Sequence, residues 1–308
     1  MLYIKTVFSE RIATMLKLVE QTNKGSVLVI QQFPIIDDHM TKIPEVRESI
    51  SSILAFIELG DVAIFHEIIA MADGVFDNIV LDVDIKLPIS PTLLQSATKN
   101  IKQSRLFTYS DINTWADSAL QFILQREKIL HGKRIKLLGS GLLYEALLHR
   151  LAFFGVEFLM NDSDNIEVLI GAQLKGVSTA DDVVMKLHEN ASLYDIGIGN
   201  FSTSLIDMAA SKGHVIYRID IRAGISSLIV NILETDCLIH KVMGRAQIKD
   251  IELVAGGMMG GKNAIIIDHI NHPTNIIGVA DGKGNVKTDV EASDHKNIAF
   301  VERLIKQI

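Results

Sequence analysis

The stretch that decides the fold is residues 133–162, KRIKLLGSGLLYEALLHRLAFFGVEFLMND. Its apolar run at residues 135–138 predicts a buried strand, which Gly139-Ser140-Gly141 then interrupts. Apolar residues at helical spacing follow until Gly155, and residues 156–160 predict a second strand that ends at Asn161-Asp162. The stretch therefore predicts a strand, a glycine-rich turn, a helix and a second strand in succession.

The glycine-rich turn has the chemistry of a nucleotide-binding loop. Glycines let the backbone approach a ligand closely, and the N-terminus of the helix presents unpaired N–H groups to negative charge. Asp162 closes the second strand, where an acid can accept hydrogen bonds from an adenosine ribose. The match to G-x-G-x-x-G is partial, because Tyr144 occupies the position of the third glycine. The context of the turn nevertheless favours a nucleotide-like ligand over an ordinary strand-to-helix connection.

Length and composition restrict the class of protein. The chain has 308 residues, of which 48% are hydrophobic, so it is long enough for two domains with substantial cores. Its net charge of −7 argues against a nucleic-acid partner. The single cysteine, Cys237, excludes an internal disulfide and fits a reducing compartment. We see no secretory signal and no apolar run of about 20 residues, and we therefore expect a cytoplasmic protein without a membrane partner.

Strand and helix patterns alternate along most of the chain. Before residue 131 we predict helices at residues 9–23, 44–59, 92–104 and 111–130 and strands at residues 26–30, 61–65 and 78–84. After it we predict strands at residues 167–172, 193–199, 214–222, 264–268 and 275–280 and helices at residues 179–190, 202–212, 225–233 and 296–307. This alternation predicts an α/β fold, a Rossmann-like doubly wound and mostly parallel sheet. We place a substrate-side α/β domain at residues 1–130 and a cofactor-binding domain with a C-terminal β-hairpin at residues 131–308.

Ligands of such sheets bind outside the carboxyl ends of the strands. In the second domain this rule, with Leu142 at the start of the helix, selects Gly139, Ser140, Gly141, Leu142, Asn161, Asp162, Gln173, Thr179, Gly197, Gly199 and Asn200. In the first domain it selects Gln31-Gln32, His66-Glu67 and residues 82–86, DVDIK. Each polar residue has a plainer alternative as a cap or turn residue, and Thr179 with Asp182 resembles a capping box.

The residues alone leave the cofactor open. The ten histidines show no metal-binding spacing, and the chain has neither a G-x-S-x-G elbow nor a P-loop, so we predict no metal site, hydrolase or kinase. A nicotinamide cofactor with hydride transfer is the first choice, and S-adenosylmethionine with methyl transfer is the second. Both carry the adenosine that Asp162 would bind. A non-catalytic scaffold that binds a nucleotide is a third possibility.

Six segments carry a resemblance to a known family, namely MLYIKTVFSERIA (1–13), LVIQQFPIIDDH (28–39), NIVLDVDIK (78–86), YSDINTWADSALQFILQRE (109–127), RIKLLGSGLLYEALLHRLAFFG (134–155) and GMMGGKNAIIIDHINHPTNIIGVADGKG (257–284). With these segments the chain resembles the pyridinol C-methyltransferases of methanogenic archaea. That family uses S-adenosylmethionine to methylate a hydroxypyridine ring carbon during biosynthesis of the guanylylpyridinol cofactor of iron-only hydrogenase.

The resemblance implies a role for each candidate residue. Gly139, Ser140 and Gly141 would lie against the methionine part of S-adenosylmethionine, and Asp162 would bind its ribose. As catalytic candidates, Gln173, Thr179 and Asn200 would line the cleft near the sulfonium and a small pyridinol substrate. Apolar stretches near the C-terminus lead us to expect a homo-oligomer, a dimer or a tetramer. The alternative function is that of an NAD-dependent oxidoreductase acting on a small polar substrate.

Overall fold

The structure is a computed structural model that describes residues 2–32, 41–60, 62–86, 90–159, 165–175, 181–219 and 222–307. The chain divides into two compact units, Met1–Leu228 and Ile229–Ile308. The first unit contains two five-stranded sheets, and the second contains a four-stranded sheet. The domain boundary that we predict after residue 130 falls between the two sheets of the first unit and stays a prediction.

The first sheet is mostly parallel and has β1 as its central strand. Its elements are α1 (Leu2–Thr22), β1 (Gly25–Gln32), β2 (Arg47–Glu48), β3 (Ser52–Leu59), α2 (Phe65–Ala72), β4 (Asn78–Asp82), α3 (Ser90–Asn100), β5 (Arg105–Tyr109) and α4 (Asp111–Glu127). The strand order is β2-β3-β1-β4-β5, and every pair is parallel except β2 with β3. Phe8 and Met15 of α1 are fully buried in the core that this sheet shares with its helices.

The second sheet is parallel throughout. Its elements are β6 (Arg134–Leu138), α5 (Leu142–Ala152), β7 (Glu157–Phe158), β8 (Ile166–Lys175), β9 (Leu187–Ile198), α6 (Thr203–Ser211), β10 (Val215–Arg218) and α7 (Arg222–Cys237). The strand order is β10-β9-β8-β6-β7. Val168 and Ile170 pack in a core with α4 and α5, whereas Leu169 packs in a separate core with α6. The sheet is thus covered on both faces, as the doubly wound Rossmann-like prediction requires.

The second unit contains a sheet with both parallel and antiparallel strand pairs. Its elements are β11 (Gly244–Ile248), β12 (Ile251–Ala255), β13 (Ile265–Ile267), β14 (Ile276–Val279) and α8 (Ala292–Ile305), in the strand order β11-β12-β13-β14. The predicted C-terminal hairpin corresponds to β13 and β14, which are antiparallel. Val301 of α8 is buried in the core of this sheet.

Three predicted elements are wrong. Residues 44–59 are not a helix but contain β2 and β3, because the apolar run at residues 53–57 is buried as a strand between neighbours. The predicted strand at residues 61–65 is a 3-10 turn, Val62–Ile64, that leads into α2. The predicted helix at residues 179–190 is replaced, from Asp181 on, by a 3-10 segment, Asp181–Lys186, and the first part of β9. Short apolar runs have no periodicity that distinguishes a helix from a strand. Pairing with a neighbouring strand therefore decides which of the two forms.

Candidate functional site

The order of the strands places a crevice in the second sheet between β6 and β8. After β6 the chain forms β7 on one side, and it then crosses to form β8 on the other side. At such a reversal the connections after the two central strands leave in opposite directions and open a crevice at their carboxyl ends. The glycine-rich turn follows β6 directly, and Gln173 lies near the end of β8. The predicted turn therefore lies at the point where open α/β sheets bind their ligands.

The turn after β6 requires both of its glycines. Gly139 has φ +119°, and a Cβ atom on it would lie 2.8 Å from the carbonyl oxygen of Ala172. Gly141 has φ +86° and is the N-cap residue of α5, and a glycine offers no side chain of its own to cap the helix. The first N–H groups of α5 therefore lack an intrahelical partner and a side-chain partner from the N-cap. Gly139, Ser140, Gly141 and Leu142 are all exposed, so this helix end is accessible to an anionic group.

Tyr144 does not disturb the turn, although it replaces the third glycine of the dinucleotide motif. Its side chain is half-buried and packs against the core that α4 and α5 share with the sheet. The bulky residue at this position is therefore accommodated by the helix packing. The partial match of the motif is thus compatible with a bound dinucleotide.

Hydrogen bonds and a close backbone approach join the ends of β8 and β9 beside the glycine-rich turn. The side-chain nitrogen of Asn200 donates to the carbonyl oxygen of Gln173 at 3.0 Å and to Oδ1 of Asp195 at 2.6 Å. Gly197, with φ +127°, approaches so closely that a Cβ atom would lie 2.2 Å from the same Gln173 oxygen. Asn200 is only 2% exposed, so its amide holds the backbone of the site. This arrangement lets Asn200 position the backbone of the site, and its expected role as a catalytic residue stays a prediction.

The structure brings together only part of the predicted site. Gly139 packs against Ala172 and Gln173, while Gly197 and Asn200 contact Gln173 from the next strand. Gly199 has φ +77° and is exposed with open space around its Cα. Asn161, Asp162 and Thr179 lie outside the described residues, and their assigned roles stay predictions.

A buried charge network lies at the carboxyl ends of the first sheet. The Lys86 network consists of Lys86, Asp82, Asp84 and Asp111. Nζ of Lys86 donates to Asp82 at 2.8 Å and to Asp111, and it lies 3.9 Å from Asp84. The side chains of Lys86, Asp82 and Asp111 are 3%, 0% and 4% exposed. Such burial makes the charges depend on one another, because water cannot screen them.

The protonation of the Lys86 network follows from its burial. Burial raises the pKa of the Asp82 carboxyl, although the ammonium group of Lys86 opposes the shift. Burial alone would lower the pKa of Lys86, but Asp111 and Asp82 raise it above its usual value. Lys86 is therefore a firmly held cation at neutral pH.

The sequence pointed to this network only in part. Residues 82–86 lie at the end of a strand as predicted, but Asp111 is not among the predicted site residues, because it begins a predicted helix. The signal for Asp111 was its position after β5, the neighbour of β4. His66 and Glu67 lie within α2 rather than after a strand, so the reason for selecting them no longer holds.

No group of three or more histidine, cysteine, aspartate or glutamate residues suited to a metal ion occurs in the described ranges. In the same ranges, no helix has both the length and the apolar character needed to cross a bilayer.

Comparison with known proteins shows no family for this chain. No family model matches the chain, and no curated protein matches it in sequence. Among solved structures, the glutamate dehydrogenase of Thermus thermophilus is 9% identical with a TM-score of 0.41, over 70% of this chain and 68% of its own. The L-tryptophan dehydrogenase of Nostoc punctiforme is 13% identical with a TM-score of 0.38, over 68% and 74%. The NADPH-dependent glyoxylate/hydroxypyruvate reductase of Sinorhizobium meliloti is 12% identical with a TM-score of 0.29, over 42% and 80%.

These findings correct the resemblance to the pyridinol C-methyltransferases. The solved structures just described are dehydrogenases and an NADPH-dependent reductase, not S-adenosylmethionine-dependent methyltransferases, and neither sequence comparison supports that family. The expected methyltransferase activity, its S-adenosylmethionine cofactor and its pyridinol substrate are withdrawn with the resemblance. The Rossmann-like α/β fold rests on the strand order and parallel pairing of the chain's own sheets.

Proposed function

We propose that the crevice between β6 and β8 binds a nicotinamide dinucleotide and that the protein is an oxidoreductase acting on a small polar substrate. The observation that carries the proposal is the turn at Gly139 and Gly141. It combines a strand end at a reversal of strand order, two left-handed glycines and an uncapped, accessible helix N-terminus. Together these features suit the pyrophosphate of a dinucleotide.

Each part of the proposed site has a distinct task. The N–H groups at the start of α5 would bind the pyrophosphate, with Ser140 and Leu142 beside it. Asn161 and Asp162 are proposed to bind the adenosine ribose. Gly197 and Gly199 would let the second half of the dinucleotide approach β9, and Thr179 is proposed to lie on the substrate side. The bound cofactor would supply the hydride acceptor or donor.

The substrate and the assembly belong to the same proposal. A small polar molecule is the expected substrate, because catalysis by a nicotinamide cofactor needs only a carbon that can gain or lose a hydride. A homo-oligomer is the expected assembly, and light scattering on the purified chain tests it. A single monomeric species across the micromolar range would contradict that expectation.

A pair of glycine variants tests the proposed cofactor site. Gly141→Ala and Gly132→Ala place a side chain at φ +86° and φ +75°, and both positions have open space around them. Gly141 also has ψ −168°, a backbone region that is essentially restricted to glycine, so thermal unfolding must first show that both variants fold. Gly132 lies in the turn that precedes β6 rather than in the crevice. We expect wild type and Gly132→Ala to bind NADH with a dissociation constant of about 1–100 μM. Gly141→Ala should bind at least about tenfold more weakly, as followed by NADH fluorescence.

Two results would overturn the proposal. If wild type does not bind NADH or NADPH, the site is not a nicotinamide site. If Gly132→Ala and Gly141→Ala lose the same affinity, the effect reflects strain in the fold, and the glycine turn is not where the cofactor binds.

A further inference from the structure

An unsatisfied acceptor lies in the proposed cofactor crevice. The side-chain oxygen Oε1 of Gln173 is buried and has no hydrogen-bond partner in the part of the chain that the structure describes. The backbone oxygen of the same residue is already bound by Asn200. A buried acceptor without a donor weakens a protein unless some group satisfies it. In a ligand crevice, a donor carried by the ligand is the natural complement.

The surroundings of Gln173 hold its backbone in place. Its Cβ atom lies 3.3 Å from the position that a Cβ atom on Gly139 would take, so the side chain begins beside the glycine-rich turn. Asn200 and Gly197 fix the backbone of Gln173 from the adjacent strand. A backbone that is fixed before the ligand arrives loses no further entropy on binding, so only the end of the Gln173 side chain must be ordered by its partner.

We infer that Oε1 of Gln173 accepts a hydrogen bond from the nicotinamide half of the dinucleotide, and that Gln173 is a specificity-determining residue for the cofactor. This inference rests on the proposed function. Two groups in that half carry a suitable hydrogen, the amino group of the carboxamide and the hydroxyls of the attached ribose. The proposed function assigns the adenosine half to Asn161 and Asp162, so that half is not the proposed partner of Gln173. Gln173 thus distinguishes a ligand with a complete nicotinamide half from one that lacks it.

Calorimetry on the full chain measures the binding of four ligands to wild type and to two variants. The ligands are NAD⁺, its 3-acetylpyridine analogue, ADP-ribose and ADP. The analogue replaces the amino group of the carboxamide with a methyl group, ADP-ribose keeps only the ribose, and ADP lacks both. Gln173→Met removes the acceptor at similar length, and Gln247→Met makes the same change at an exposed position in β11. Thermal unfolding of each variant confirms that it folds.

We expect Gln173→Met to weaken NAD⁺ binding by about 5- to 100-fold and to leave ADP binding unchanged. If the carboxamide is the donor, the variant binds the acetylpyridine analogue as well as wild type does. If the ribose is the donor, Gln173→Met weakens the binding of the analogue and the binding of ADP-ribose by the same factor. Gln247→Met should leave all four affinities unchanged.

Failure of the inference can be distinguished from failure of the proposed function. If wild type binds NAD⁺ and Gln173→Met binds it equally well, the inference is wrong and the proposed function stands. An equal loss for ADP and NAD⁺ would also overturn the inference, because ADP carries neither donor. If wild type binds none of NAD⁺, NADP⁺ and ADP-ribose, the proposed function fails and the inference fails with it.

Discussion

Replacing Lys86 with methionine should remove a large part of the stability of the first unit. Nζ of Lys86 lies 2.8 Å from Asp82, where an effective dielectric constant of about 20 gives an attraction of roughly 6 kcal/mol. The desolvation of the buried charges offsets part of this attraction. Removing one partner of a buried pair costs about 3–5 kcal/mol, because the remaining carboxylates stay buried without their cation. We therefore expect a loss of about 3–5 kcal/mol at pH 7 for Lys86→Met.

Urea unfolding followed by tryptophan fluorescence measures this loss. The only tryptophan of the chain, Trp115, lies on α4 in the same unit as Lys86 and packs against the core of the second sheet. Lys5→Met is the matched control, because Lys5 lies 2.9 Å from Glu67 but both side chains are substantially exposed. The control should lose less than about 1 kcal/mol. A loss of that size for Lys86→Met would refute the assignment of Lys86 as a buried cation.

The loss of stability in Lys86→Met should also depend on pH, and the pKa of Asp82 determines the direction of that dependence. Burial raises the pKa of Asp82, so the folded chain holds this proton more tightly than the unfolded chain does. The contribution of Asp82 to stability is fully present below its unfolded pKa of about 3.9 and is lost as the pH rises through its folded pKa. Without Lys86 that folded pKa rises further. The difference between variant and wild type should thus be smaller at pH 5 than at pH 7, and an equal difference would contradict the account.

Three further predictions concern individual contacts. Asn200→Ala removes the amide that binds Asp195 and Gln173 and should lower the free energy of unfolding by about 1–3 kcal/mol in urea titrations; no change would contradict the positioning role. Tyr194→Phe removes the hydroxyl that donates to Glu127 and should lower it by about 1–2 kcal/mol in the same assay, whereas a more stable variant would contradict that bond. Burial would raise the pKa of Asp268, but hydrogen bonds from Thr274 outweigh it and lower the pKa. Asp268→Asn should therefore speed hydrogen exchange in the second unit at pH 7, with the difference from wild type shrinking toward acid pH.

The local part of the fold could be predicted from sequence, because its signals lie close together in the chain. The β6–turn–α5 segment combines an apolar strand, two glycines and a helical period within about 20 residues, and each element agrees with the next. The strand at residues 53–57 was missed because a short apolar run fits a helix equally well, and only its pairing with β1 decides.

The candidate site was less predictable, because its contacts join distant residues. Asn200 binds Gln173 across 27 positions, and Lys86 binds Asp111 across 25. The sequence places Gln173, Asn200 and Lys86 after predicted strands and Asp111 at the start of a predicted helix. Their contacts with one another emerge only when the sheets align the strand ends. The wrong expectation of methyl transfer arose from likeness along the chain rather than from any site residue, and the residues alone had favoured a nicotinamide cofactor.

The most direct test of the central claim is calorimetry of the purified full chain with NAD⁺, with S-adenosylhomocysteine titrated under the same conditions. The account predicts saturable binding of NAD⁺ at one site per chain with a dissociation constant of about 1–100 μM, and ADP-ribose should compete for that site. Absence of binding heat with NAD⁺ up to millimolar concentration, together with clear binding of S-adenosylhomocysteine, would contradict it.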